Sequence, residues 1–205
     1  MISGFASGFA GRHQEVDDCE VAGYRSGLAA GLGRALADLD DTDLVAAARL
    51  GFAAVPAERV PDGATVVAHP VAADAGVAIL DVRLPAGLTL LRHAGDRPEV
   101  VGLRLAAVRI GLVRRLLDEA LTSLPWHRFL FGAIGNVVSA LESLRDRLAG
   151  AAQYPSRADV VTVHTRLDRV DRQVARLFWP DGYRPDHPVR ILFVAELVAG
   201  TWVGT

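Results

Sequence analysis

The feature that most constrains the fold is a helical periodicity that extends from residue 99 to the end of the chain. Apolar residues recur there every three or four positions, which places them on one face of an α-helix. The most regular of these stripes consists of Val160, Val163, Leu167, Val170, Val174 and Leu177. Four such segments joined by short loops predict an antiparallel four-helix bundle over residues 98–205.

Turn and capping signals set the bounds of the four predicted helices. They cover about residues 99–124, 126–150, 156–177 and 188–202. Ser156 and Asp159 resemble a capping box at the start of the third helix. The fourth helix, which begins at Pro188, is apolar nearly all round, so we expect it to be central or to lie in an interface.

Residues 1–97 predict a reduced N-terminal part of different character. The Gly- and Ser-rich residues 1–14 predict a loose segment, and residues 15–39 predict a weak helix. Each Gly in a helix interior costs about 1 kcal/mol relative to Ala. We interpret the G-x-x-x-G spacing of Gly23 and Gly27 as a sign of close helix packing.

A small antiparallel sheet of three or four strands is predicted between residues 52 and 97, where prolines separate short β-branched runs. A short helix capped by Asp41 or Thr42 is expected before it. The predicted strands cover residues 64–68, 77–84 and 88–91. The fold class is therefore α+β, mainly α, with a small β segment followed by a helical bundle.

Composition limits the classes of partner. The formal net charge is −2 and 51% of the residues are apolar, which predicts a globular protein that binds neither nucleic acid nor an anionic membrane. Charged residues interrupt the longest apolar runs, so no transmembrane helix is expected. The first residues lack the basic and apolar regions of a signal peptide, so we expect a cytoplasmic location.

The spacing of cysteine and histidine residues along the chain does not match that of a metal site. The single cysteine, Cys19, excludes an internal disulfide, and its carboxylate neighbours predict an unreactive thiol. His69 and His93 follow predicted strands, but no third ligand stands at a suitable spacing. We therefore predict no metal.

Several local motifs resemble the C-terminal domain of the acyl-CoA dehydrogenase family. They are DVRLPA from Asp81, GLVRRLLDEA from Gly111, RFLFG from Arg128 and the closing stretch from Gly182. Their order matches the family over residues 81–205, whereas residues 1–80 do not match. The resemblance implies a four-helix bundle from a truncated, degenerate member of that family.

The resemblance also implies that the usual catalytic base is missing. In the family, a glutamate removes the α-proton of an acyl thioester while hydride leaves the β-carbon for FAD. Val203 stands at the commonest position of that glutamate, and Val101 stands at the alternative position. Glu99 is two residues from Val101 and is rotated by about 200° around the helix. A valine cannot accept a proton, so the family's base is absent.

The family's flavin contacts are only partly kept. Trp179 and Pro180 replace a Gly-Gly pair that approaches the FAD diphosphate. The counterpart of Arg128 contacts FAD across a subunit interface in the family. By this resemblance the cofactor-binding candidates are Arg128, Phe131, Gly132 and Gly182. We expect no cofactor on the chain alone, and FAD only through a partner or a dimer interface.

Three functions remain open at this point. The first is a non-catalytic or partner-dependent subunit, either a homodimer or a hetero-oligomer with a full-length acyl-CoA dehydrogenase that contains the flavin. The second is a small enzyme that reuses the bundle pocket for non-redox cyclisation or isomerisation of an acyl or polyketide-like intermediate. The third is a weak FAD-dependent oxidoreductase acting on CH–CH bonds. An acyl thioester or a related apolar molecule is the expected ligand.

The candidate acid/base residues for the second function are Glu196, His127 and Asp186. Each also has a structural interpretation. Glu196 is expected to be buried and paired with an Arg of the bundle, and Asp186 suits an N-cap. His164 is expected to be solvated on the polar side of the third helix, where Asp168 and Arg172 are spaced for an ion pair.

Overall fold

The protein is described by a computed structural model over residues 3–49, 52–81, 97–123, 127–178, 184 and 187–203. The description includes side chains except at residues 3–10, 49, 52, 97, 123 and 127–130. Within these ranges, eight α-helices accompany one three-stranded antiparallel sheet. The predicted α+β, mainly α class is confirmed. The predicted strand at 88–91 lies outside the described residues.

The elements follow one another in the order expected for a helical protein with a small inserted sheet. The N-terminal helices are α1 (Ser3–Ser26), α2 (Leu28–Ala35) and α3 (Asp41–Arg49). The sheet region contains β1 (Phe52–Pro56), β2 (Thr65–Val67), α4 (Pro70–Asp74) and β3 (Val77–Asp81). The remaining helices are α5 (Arg97–Ser123), α6 (His127–Gln153), α7 (Arg157–Leu177) and α8 (Arg190–Val203). None of the described helices is long and apolar enough to cross a membrane.

The N-terminal helices differ from the prediction in two ways. The prediction that residues 1–14 form a loose segment is wrong, because α1 begins at Ser3. The single helix predicted for residues 15–39 is divided at Gly27, whose φ of 87° is left-handed. Helix propensity is a weak guide when a helix packs on a neighbour, as α1 packs along α5.

Glycines allow α1 and α5 to pack closely. A Cβ added at Gly23 would lie 2.4 Å from the carbonyl oxygen of Val108, and one added at Gly111 would lie 2.1 Å from that of Glu20. Such distances exclude any side chain, so the two backbones touch directly. The close packing predicted for Gly23 is confirmed, while Gly27 serves to end α1 instead.

The sheet holds the end of α8 in place. Its order is β1-β3-β2, so β1 is an edge strand with one side available. The backbone N–H of Ala54 donates to Oγ1 of Thr201 over 3.1 Å. Nε1 of Trp202 donates to the carbonyl oxygen of Ala54 over 2.8 Å. The C-terminal turn of α8 therefore satisfies the backbone N–H and C=O of Ala54 in this edge strand and is fixed relative to the sheet.

The central helix of the described structure is α5, not α8. Every residue from 101 to 113 is buried, because α1, α2, α6, α7 and α8 all contact α5. Helix α8 buries the face that contains Leu192, Ala195 and Val198 but exposes Phe193 and Leu197. The predicted boundary between residues 97 and 98 stays a prediction. Two charged side chains of α5, Arg104 and Arg109, are buried by this arrangement.

The predicted caps are close to the observed ones. Ser156 is the N-cap of α7, and its Oγ accepts from the N–H of Asp159 over 3.1 Å. The cap of α3 is one residue earlier than predicted, since the N–H of Asp43 donates to Oδ1 of Asp40 over 2.9 Å. His69 caps α4 by accepting from the N–H of Ala72. This contact gives His69 a structural role.

Candidate functional site

An open cavity of about 580 Å³ lies between α5, α7 and α8. Its volume is in the range that small-molecule sites have, about 300–1,000 Å³. One side of the cavity is polar and is formed by α5 and α7, whereas α8 supplies a mainly apolar wall. The lining residues are Arg109, His164, Asp168, Phe193, Glu196, Leu197, Ala199, Gly200 and Val203.

A buried guanidinium organises the polar side. Only 2% of the Arg109 side chain is exposed. Its Nη1 donates to Nδ1 of His164 over 3.0 Å. Its Nη2 donates to Oδ1 of Asp168 and to Oδ2 of Asp171, each over 2.6 Å. These four residues, the Arg109 network, join α5 to α7, because positions 164, 168 and 171 share one face of a helix.

His164 is held as a neutral imidazole. Arg109 can only donate, so Nδ1 of His164 must be the acceptor, and Nε2–H donates to the carbonyl oxygen of Gly102 over 2.9 Å. Burial and then the charge of Arg109 lower the pKa of His164 to about 4. Both ring nitrogens are occupied, so His164 has no lone pair for a ligand. The predicted solvated position is wrong because Arg109 buries this side of α7.

The two aspartates of the network differ in environment. Asp168 is 29% exposed at the cavity, and it pairs with Arg109 instead of forming the predicted pair with Arg172. Asp171 is buried, and its Oδ1 has no hydrogen-bond partner within the described part of the chain. Burial raises the pKa of Asp171 to about 6, although Arg109 acts in the opposite direction. With Arg109 charged and His164 neutral, the two aspartates outweigh the single guanidinium when both are ionised, so the network is not a free cation.

Glu196 faces the cavity instead of the core. The prediction that it is buried and paired with an Arg is wrong, because its face of α8 is open and Glu196 is exposed. No hydrogen bond or ion pair to a described residue holds its carboxylate. Val203 lies on the same wall of the cavity. Glu196 is the one predicted acid/base candidate that the described structure places in the cavity.

The remaining predicted site residues do not join this cavity in the described structure. Phe131 and Gly132 are exposed on α6, away from the lining. His127 and Arg128 begin α6, but their side chains are outside the description. Gly182 and Asp186 lie wholly outside the described residues. The candidates also outside are His93, Trp179 and Pro180. No metal-binding group of three His, Cys, Asp or Glu occurs among the described residues.

The other buried charges act as clamps between helices. Glu20 of α1 accepts from Arg114 of α5 over 2.6 Å and from Arg145 of α6 over 2.9 Å. Arg104 donates to Asp38 over 2.6 Å and to Glu15 over 2.5 Å. None of these residues borders the 580 Å³ cavity. They therefore join α1 to α5 and α6, and the segment after α2 to α5.

Cys19 agrees with its predicted passive role. Its side chain is buried in α1, with 1% of the residue exposed. Burial raises the pKa of the Cys19 thiol to about 12. The reactive thiolate is therefore scarce at neutral pH.

Sequence reasoning missed Arg109, His164, Asp168 and Asp171 as site residues. A signal for them exists in the printed sequence. The polar residues of α7 recur at intervals of four and three, directly beside the apolar stripe. Such a polar line can be buried only if a neighbouring helix supplies a matching charge, and Arg109 supplies it.

Comparison of the chain with protein-family models, with curated proteins and with solved structures finds no match. The resemblance to the acyl-CoA dehydrogenase family therefore stays a prediction. Val203, which that resemblance places at the position of the family's base, lines the cavity.

Proposed function

We propose that the chain binds a small, largely apolar organic molecule in the cavity between α5, α7 and α8. The observation that carries the proposal is the exposed apolar wall of α8 over a buried polar side. Phe193 and Leu197 are 44% and 37% exposed at the cavity. Covering apolar surface yields about 25 cal/mol per Å², so a ligand that covers both side chains gains stability.

The proposal excludes acid–base catalysis by His164 and proton removal by Val203. His164 has both nitrogens engaged, and valine has no titratable group. The cavity thus acts first as a binding site. Dehydrogenation by the chain alone is not part of this proposal.

A filled-cavity variant tests the binding site. Beyond its own stretch of helix, no atom lies within 4 Å of a Cβ added at Gly200, which lines the cavity, so Gly200→Leu adds its side chain on the open cavity side of α8. Gly135→Leu is the matched control, because Gly135 is equally open but lies on α6 away from the cavity. The probe is 1-octanol, and its dissociation constant is measured by titration calorimetry.

The two variants are expected to differ. Excluding two methylene groups of the probe costs about 0.8 kcal/mol each, so Gly200→Leu weakens octanol binding by about tenfold. Gly135→Leu leaves the dissociation constant unchanged. Absence of octanol binding to the wild type, or equal binding by both variants, would overturn the proposal.

A second candidate function follows from the position of Val203. If the family resemblance holds, the cavity is the remnant of the acyl-binding side of a dehydrogenase. The chain then serves as a non-catalytic subunit, as a homodimer or with a full-length, flavin-containing acyl-CoA dehydrogenase in the cytoplasm. The purified chain is expected to show no flavin absorbance and no turnover of octanoyl-CoA with an electron acceptor. A yellow protein that turns over would contradict this candidate.

A third candidate rests on the exposure of Glu196. An exposed carboxylate beside an apolar wall can move a proton on a bound acyl thioester without redox chemistry. Exchange of the α-protons of octanoyl-CoA in D₂O, followed by NMR, tests this activity. Exchange by the wild type that disappears in Glu196→Gln would support it. Equal exchange rates in both proteins would exclude it.

A further inference from the structure

The hydrogen-bond donors on the polar side of the cavity are either used or buried: Nε of Arg109 has no partner among the described residues, but it is buried. Both terminal nitrogens of Arg109 donate to protein acceptors, and Nε2 of His164 donates to the carbonyl oxygen of Gly102. Among the described residues, Arg109 supplies the one basic side chain in the lining. An anionic ligand head group therefore finds no free cation there.

The acceptors of the cavity are in excess. The carboxylate of Glu196 is exposed and has no hydrogen bond or ion pair to a described residue. Asp168 gives Oδ1 to Arg109 but remains 29% exposed at the cavity. Oδ2 of the adjacent Asp171 accepts from the same guanidinium, so a second carboxylate offsets the charge of Arg109. What is left for a ligand is negative charge and acceptor oxygens.

The rest of the wall is apolar and includes an aromatic ring. Phe193 and Leu197 flank Glu196 on the same face of α8, at spacings of three and one residues. A cation near the face of an aromatic ring is attracted by the ring quadrupole, and a charged hydrogen bond to a carboxylate is stronger than a neutral one. The two preferences meet in a ligand with an ammonium head and a hydrocarbon body.

We infer that the ligand of this cavity is an apolar organic cation, an alkyl- or arylammonium, whose ammonium group is held by Glu196 and Asp168. This inference rests on the proposed binding function and specifies its ligand class. The hydrocarbon part lies along Phe193 and Leu197. A carboxylate of the same size is rejected, because it would face Glu196 and Asp168 without a donor.

The test compares three ligands of one chain length that differ in the head group: octylammonium, 1-octanol and octanoate. Titration calorimetry at pH 7 and low salt gives the dissociation constant of each for the wild type. Glu196→Gln is the test variant. Glu142→Gln is its matched control, since Glu142 is an exposed glutamate on α6 and the net charge changes equally.

Octylammonium is expected to bind about tenfold more tightly than octanol, because a hydrogen bond between two charged groups is about twice as strong as a neutral one. Octanoate is expected to bind most weakly. Glu196→Gln reduces the tenfold preference for octylammonium over octanol to about threefold or less. It leaves octanol binding unchanged. Glu142→Gln keeps the wild-type preference.

The outcomes separate the two proposals. If octanol binds and Gly200→Leu weakens its binding as expected, but octylammonium is not preferred, the cavity function stands and the cation inference is wrong. Tighter binding of octanoate than of octylammonium also overturns the inference. If none of the three ligands binds to the wild type, the binding function itself fails.

Discussion

Replacing Asp171 by Asn is expected to reveal two opposing titrations inside the Arg109 network. His164 and Asp171 both contact Arg109 and are both buried. Their pKa values move in opposite directions, because burial disfavours the charged form of each group. The stability of the fold between pH 4 and pH 6.5 thus contains two contributions of opposite sign.

His164 weakens the fold on acidification. Its pKa falls from 6.5 in the unfolded chain to about 4 in the folded protein, so the folded state resists protonation. Its contribution to stability is complete above pH 6.5 and is lost as the pH falls toward 4. At about 1.4 kcal/mol per pKa unit, the loss is ~3 kcal/mol.

Asp171 strengthens the fold over nearly the same range. Its pKa rises from 3.8 in the unfolded chain to about 6 in the folded protein, so the folded state binds the proton more readily. Stability is gained as the pH falls from 6 toward 3.8. The gain is also ~3 kcal/mol by the same conversion. In the wild type the two contributions nearly cancel.

Asp171→Asn removes the stability gained when Asp171 is protonated and keeps the stability lost when His164 is protonated. We expect its free energy of unfolding to fall by ~3 kcal/mol more than that of the wild type between pH 6.5 and pH 4. His164→Gln is expected to show the opposite difference from the wild type. Urea denaturation at several pH values gives these differences, and the other carboxylates cancel in the comparison.

The control is Asp146→Asn, which removes an exposed carboxylate of α6. It carries the same change in net charge without touching the network. Parallel pH profiles of Asp171→Asn and the wild type would show that the two burial effects do not oppose each other in this protein. The reasoning about the network would then be wrong.

Three further predictions concern packing and reactivity. Gly23→Ala is expected to destabilise the fold by about 1–3 kcal/mol through a backbone clash, whereas Gly11→Ala, on the open side of α1, stabilises it by about 0.5–1 kcal/mol in urea denaturation. Arg109→Met leaves the Asp171 carboxylate buried without its cation and costs about 3–5 kcal/mol, part of which Asp171→Asn restores in the double variant. Cys19 is expected to react with a thiol reagent at pH 8 only at the rate at which the protein opens, since burial raises its pKa to about 12.

Periodicity in the sequence predicted the helices after residue 99 closely. Apolar spacing of three and four fixes which face of each helix is buried, and the Ser156 cap marks where α7 begins. Residues 1–14 were predicted to be loose and residues 15–39 to form only a weak helix, because glycines lower helix propensity, whereas Gly23 lets α1 touch α5. Propensity is a local property, and the gain from packing depends on a partner that is more than 70 residues away.

The site could be predicted only in part. Glu196 was identified as a candidate because a carboxylate in an apolar helix is unusual. The prediction that it is buried was wrong, since burial depends on whether a neighbouring element covers that face of the helix. The Arg109 network was missed because the polar side of α7 was expected to face water. Once α1 covers the outer side of α5, Arg109 must find its partners inside the protein.

The location of the incompletely satisfied charges supports a functional role for the cavity. The carboxylates that pair with Arg104, Glu15 and Asp38, are 43% and 65% exposed, so water solvates their free oxygens. Asp171, which pairs with Arg109, is 3% exposed and keeps an oxygen without a partner in the described structure. A buried polar atom without a hydrogen bond costs about 1–3 kcal/mol. Of the buried side-chain polar atoms without a partner in the described structure, Nε of Arg109 and Oδ1 of Asp171 belong to the network that borders the cavity, whereas Nε of Arg104 lies away from it. Departures from a fully satisfied core that gather at one place are expected at functional sites.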